Sequence, residues 1–277
     1  MRRNRLYEAF RPQHDCRTGF TLIELLVVIA IIVLLVAILL PALQAAKKQS
    51  EAVVCQSKLR QWGLGFAVYT SDHEGLLPYW GFPGTALFAS IQAYWPDSNE
   101  LLLCPLATRY VPTPEQGPFS VGSTYYAWYD PSPERSGTVS SYGLNGTIAF
   151  IDPRDDPRED GGWRSCLVKR ADKVPVILDC RVRAVGAMSP TGGPPPYEDA
   201  PYSFAPHLPT CMWPLIISRH SGGTNGLFMD WSVRKVGLKE HWTLKWQKSF
   251  DTRGPWTKAG GVKPEDWPQW MQRFKDY

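Results

Sequence analysis

The chain has 277 residues, 12 of them Trp and 25 Pro, and a formal net charge of +4. That length allows one fair-sized domain or two small ones with a real core, and the apolar share is that of ordinary globular protein, which excludes wholesale disorder. Part of the charge is local: residues 1–19 hold Arg2, Arg3, Arg5, Arg11 and Arg17 against Glu8 and Asp15, and the near-neutral remainder argues against a broad nucleic-acid footprint.

The first element is an apolar helix. Phe20 to Leu40 has only Thr21 and Glu24 as polar residues. At about 1.5 Å per residue it is about 31 Å long, the thickness of a bilayer's hydrocarbon core. It exceeds the roughly 7–15 apolar residues of a secretory signal, and "LPALQAAKK" offers no small-x-small cleavage site. The arginines on its N-terminal side place residues 1–19 in the cytoplasm and the C-terminal part outside the inner membrane. A carboxylate within such a span costs on the order of 3 kcal/mol, so Glu24 calls for a partner or a snorkelling route to the interface. Pro41 lacks an N–H, and the helix is expected to kink or loosen near residues 37–41.

The segment Gly19-Phe20-Thr21-Leu22-Ile23-Glu24, after a basic leader and before a long apolar helix, resembles the type IV prepilin signature of pilins and type II secretion pseudopilins. The resemblance implies cleavage between Gly19 and Phe20 by a prepilin peptidase, followed by N-methylation of Phe20. It places Glu24 at the fifth mature position, where the family has its glutamate, and Pro41 where many pilins have proline. It further implies that Glu24 meets the cationic N-terminus of a neighbouring subunit and sets axial register in a filament.

Beyond Pro41, Ala52, Cys55, Leu59, Trp62, Phe66 and Tyr69 recur every 3 or 4 residues, the apolar face of a continuing amphipathic helix. "SDHEG" is its stop, with Gly75 near the C′ position. The rest is β-leaning: segments 122–130, 142–151, 173–180, 214–220 and 226–236 are rich in β-branched and aromatic residues, separated by Gly, Pro, Asn and Ser clusters. Segments 78–100, 111–120, 152–162 and 186–209 are expected as loops. The tail 237–277, with Trp242, Trp246, Trp256, Trp267 and Trp270, is expected as short amphipathic helices lapping the sheet. A sugar- or subunit-binding aromatic surface is the alternative for these tryptophans.

The expected fold class is therefore α+β and pilin-like, with a long N-terminal helix packed on an antiparallel sheet. The expected organisation is a cleaved leader (1–19), a transmembrane and assembly helix (20–41), its amphipathic continuation (42–75), an extracytoplasmic head (76–236) and a packed tail (237–277).

In "RHSGGTNGLFMDWSVRKV", Arg219-His220 is expected to end one strand, the glycines to turn the chain, and Asp230 to sit at a tight corner. His220 and Asp230, with nine residues between them, resemble the H-x9-DG element of planctomycete-type pilin-like proteins, with Trp231 where that element has Gly. Trp tolerates a positive-φ turn poorly. His220 and Asp230 are assigned a structural turn role, bonded to each other or with His220 capping the glycine turn.

Cys16 leaves with the leader, and five cysteines remain, an odd number. Cys55–Cys104 is the preferred disulfide and Cys180–Cys211 a second, in a compartment where disulfides persist. No C-x-x-C, G-x-S-x-G, H-E-x-x-H or P-loop is present, so neither an enzyme nor a metal site is expected. "DPRDDPREDGG" imitates the start of a calcium loop, but Arg158 occupies a ligand position and Leu167 stands where the closing Glu belongs. The expected function is a structural subunit of a type IV pilus-like or type II secretion-like filament. Its expected partners are the inner membrane, a prepilin peptidase and other pilin subunits. The alternative is a membrane-anchored binding module whose Trp-rich head holds a polysaccharide or surface partner.

Overall fold

The computed structural model describes residues 20–78, 98–110, 121–130, 137–148, 162–186, 189–201 and 212–277. The chain divides into two compact units, Met1–Ala46 and Lys47–Tyr277. Helix α1 spans Leu22–Asp72 as one element with Pro41 inside it. In the first unit its apolar side chains are all exposed, Leu22 at 80% and Leu43 at 66%.

Within the second unit, the expected face of α1 is buried: Cys55, Leu59, Trp62 and Phe66. Thr70, rather than Tyr69, continues it. Gly63 brings the helix close to the sheet, since a Cβ there would lie 2.9 Å from Leu227 Cδ1 and 3.3 Å from the Trp231 carbonyl oxygen. The helix closes with the Gly75 N–H on the Thr70 carbonyl, at 2.7 Å. Glu74 (φ 54°) and Gly75 (φ 80°) both take left-handed conformations, the first one residue earlier than expected.

A five-stranded sheet forms the centre of this unit. Its strands are β3 (Tyr142–Asn145), β4 (Pro175–Asp179), β5 (Ala184–Val185), β6 (Gly223–Phe228) and β7 (Val233–Gly237), in the order β5-β3-β4-β6-β7. A separate hairpin pairs β1 (Trp128–Asp130) with β2 (Thr138–Ser140). All pairs in the main sheet are antiparallel except β3–β5, which is parallel, so the sheet is mixed rather than purely antiparallel.

Strand β4 is buried on both faces, and a register shift between Pro175 and Ile177 puts Val176 and Ile177 on the α1 side. Leu178 and Cys180 then face the second core. That second core is completed by the tail, where Trp242, Trp246, Phe250, Trp267 and Met271 are buried. The tail is built mainly of 3-10 turns, with one helical turn, α2 (Gln269–Gln272), and does cover the sheet.

Segment 214–220 is not a strand: residues Trp213–Leu215 form a 3-10 turn, and the chain then enters β6 through Ser221 and Gly222, both at positive φ. The expected 152–162 loop, with Asp156, Arg158 and Asp160, lies almost wholly outside the described residues.

Candidate functional site

In the first unit, Phe20 is 70% exposed, while Gly19 lies outside the described residues. Glu24 has a partner in its own chain. Its carboxylate accepts from the Thr21 backbone N–H at 2.8 Å and the Thr21 hydroxyl at 2.7 Å, and the Glu24 N–H donates to the Thr21 hydroxyl at 3.3 Å. This is a capping box, in which the first and third-following residues satisfy each other's orphan donors. Thr-x-x-Glu before an apolar run carries this signal in the sequence. The glutamate thus has a local structural use besides any contact with a neighbouring chain.

In the second unit, a buried polar centre forms where β4 ends. Asp179 is fully buried. Its Oδ1 accepts from Arg219 Nη1 at 2.9 Å, and its Oδ2 accepts from the Asn225 N–H at 2.7 Å and approaches His220 Nε2 at 3.1 Å. Arg219 is satisfied at every nitrogen: Nε donates to Thr124 O at 2.9 Å, Nη1 also to Ser141 O at 2.6 Å, and Nη2 to Ser123 O at 2.8 Å. Burial opposes ionisation of Asp179, but Arg219, His220 and the Asn225 N–H outweigh it and hold the carboxyl down to about 2. Burial likewise opposes the His220 cation; the bonds and charge of Asp179 and Cys104 overcome it and raise the imidazole to about 9. Its Nδ1 is buried without a partner among the described residues.

Two thiols border this centre. Cys104 Sγ lies 3.4 Å from His220 Nε2, and Cys55 Sγ donates to Asp179 at 3.8 Å while accepting from the Tyr142 hydroxyl at 3.1 Å. Burial, Cys55 and Asp179 push the Cys104 thiol far up. Both cysteines are free thiols, and their sulfurs, the expected Cys55–Cys104 pair, lie within 4.8 Å of one another. Cys180 is a buried free thiol, and Cys211 lies outside the described residues.

His220 and Asp230 do not pair with each other. His220 belongs to the buried centre, and its N–H bonds the Gly223 carbonyl at 2.9 Å. Asp230 sits at the tight corner between β6 and β7, accepting from the Ser232 N–H at 3.0 Å and hydroxyl at 2.6 Å. Trp231 does take positive φ, 64°. Its ring stacks on Phe66 of α1 at 5.5 Å, which compensates for the strained backbone. Sequence reasoning missed Asp179, Arg219 and Asn225 as site residues. A lone Asp closing the apolar run "VPVILD", and an Arg beside the histidine, were the available signals.

Residues 15–40 match the family model described as the prokaryotic N-terminal methylation motif. No curated protein matches the chain, and no solved structure does. The motif and the apolar helix that carries it mark a type IV pilin-like prepilin segment, a substrate for prepilin processing that is suited to membrane anchoring.

Proposed function

We propose that this chain is a structural, non-catalytic subunit of a type IV pilus-like or type II secretion-like filament. A prepilin peptidase cuts between Gly19 and Phe20, Phe20 is N-methylated, and the second unit faces the extracytoplasmic side. One observation carries the reading: the methylation motif covers residues 15–40, and the large apolar side chains of α1 from Leu22 to Leu43 are all exposed. Such a surface needs lipid before assembly and other subunits afterwards. Mass spectrometry of the mature N-terminus tests it, with methyl-Phe20 as the expected first residue. An intact Met1 in the mature protein would sink the filament reading.

A binding role for the tryptophans has narrower support. Trp242, Trp246 and Trp267 are buried and Trp256 and Trp270 half-buried; Trp256 lines an open hollow of about 440 Å³ with Thr191, Pro255, Val262 and Asp266. Retention of the purified chain on immobilised cell-surface polysaccharide, lost in Trp256→Ala, would favour this second reading.

A further inference from the structure

Cys55 of α1, Cys104 after the 3-10 turn Ser98–Leu102, Asp179 at the end of β4 and His220 before β6 converge in the core of the second unit. One ligand-type atom from each lies within 4.8 Å of all the others, and all four residues are buried. We propose that these four side chains form a structural centre for a zinc-like divalent metal.

Three independent features support the assignment. The first is spacing. Tetrahedral zinc holds sulfur at about 2.3 Å and nitrogen or oxygen at about 2.0–2.2 Å, which puts neighbouring ligand atoms roughly 3.3–3.8 Å apart. The contacts His220 Nε2–Cys104 Sγ at 3.4 Å, His220 Nε2–Asp179 Oδ2 at 3.1 Å and Cys55 Sγ–Asp179 Oδ2 at 3.8 Å are already close to those edges.

The second feature is charge. Two thiolates, one carboxylate and a divalent cation sum to one negative charge, and the buried Arg219 guanidinium on Asp179 cancels it. The third is outer support of the kind that orients metal ligands. The Tyr142 hydroxyl donates to Cys55 Sγ, Arg219 and the Asn225 N–H fix the Asp179 carboxylate, and the Ser141 hydroxyl anchors the Cys104 N–H.

On binding, two S–H protons, and the imidazolium proton where present, leave to solvent as two metal–sulfur bonds, one metal–nitrogen bond and one metal–oxygen bond form; no electrons are transferred. The metal would clip together four segments distant in sequence. This assignment stands apart from the filament reading, since it concerns the second unit alone.

The full chain, purified in detergent without chelator or reductant, is the material for the test. Elemental analysis is expected to find one zinc per chain. Exchange with cobalt is expected to give tetrahedral d–d bands and thiolate charge-transfer absorption, with the charge-transfer intensity reduced in Cys104→Ser. Alkylation after denaturation without reductant is expected to label both Cys55 and Cys104. Should Cys104→Ser fail to fold, the wild-type cobalt spectrum still decides. A chain that takes up neither zinc nor cobalt, or in which Cys55 and Cys104 peptides emerge cross-linked as a disulfide, overturns the proposal.

Discussion

Single residues in the second unit carry costs that their neighbours offset, and Trp231 is the plainest case. A non-glycine residue at φ 64° costs on the order of 1 kcal/mol. The half-buried indole, stacked on Phe66 and packed against the α1 core, returns more, about 2 kcal/mol. Trp231→Gly should therefore destabilise the protein by about 1 kcal/mol despite relieving the backbone, measured by denaturant unfolding; a gain in stability would mean that the stacking contributes little. His241 makes a second, pH-dependent case. Full burial, with Arg234 nearby, depresses its imidazole to about 3, so it folds neutral beside the Thr224 hydroxyl at 3.1 Å. The unfolded chain binds a proton near pH 6.5, so stability is fully present above that pH and falls progressively as pH drops toward 3. At pH 5 the wild type should have lost about 2 kcal/mol through this group. His241→Gln should flatten that limb, read as the difference in unfolding free energy between pH 7 and pH 5.

At the scale of elements, α1 joins two kinds of helix surface, and Glu24 lies in the first turn of the exposed one. Its capping box with Thr21 satisfies helix-end donors, an effect of about 0.5–2 kcal/mol. A register role would instead need its charge. Gln supports a capping box but carries no charge, so Glu24→Gln separates the two. We expect Glu24→Gln and Glu24→Ala alike to be cleaved normally yet to enter filaments poorly, measured as the processed chain recovered in sheared filament fractions. Normal incorporation of Glu24→Gln would assign the residue to capping alone. The same element shows what a sequence can disclose. The period of Cys55, Leu59, Trp62 and Phe66 is a local pattern, and so its buried face was legible. Strand β4 was legible as an apolar β-branched run. By contrast, β5 has two residues and exists only because β3 lies beside it, and "PLIISRH" resembles a strand but finds no sheet neighbour. The Asp179–Arg219–His220 centre was illegible for the same reason. Each member is ordinary in its own segment, and only pairing across β3, β4 and β6 brings them together.

For the whole molecule, the question is which part of α1 the sheet requires. The compact unit begins at Lys47, and Cys55, Leu59, Trp62 and Phe66 enter its core with 0–3% exposure. Losing three large apolar side chains from that core removes about 1.5–3 kcal/mol each, together comparable to the whole stability of a domain. The helix also satisfies polar groups: Lys58 Nζ donates to the Glu100 and Leu103 carbonyls, and the Asn225 side-chain amide donates to the Ala52 carbonyl. A fragment starting at residue 76 would leave the Glu100 and Leu103 carbonyls, the Asn225 amide and one face of β4 and β6 open to water. Residues 20–43, in contrast, contribute nothing to this core, since their large apolar side chains are all exposed. Residues 47–277 alone should therefore be soluble without detergent and melt in one cooperative transition, whereas residues 76–277 should aggregate or lack a transition. Circular dichroism with size-exclusion chromatography on the two fragments checks this. A cooperative melt for the shorter one would show that the sheet and the Trp-rich tail form a self-sufficient core without the helix.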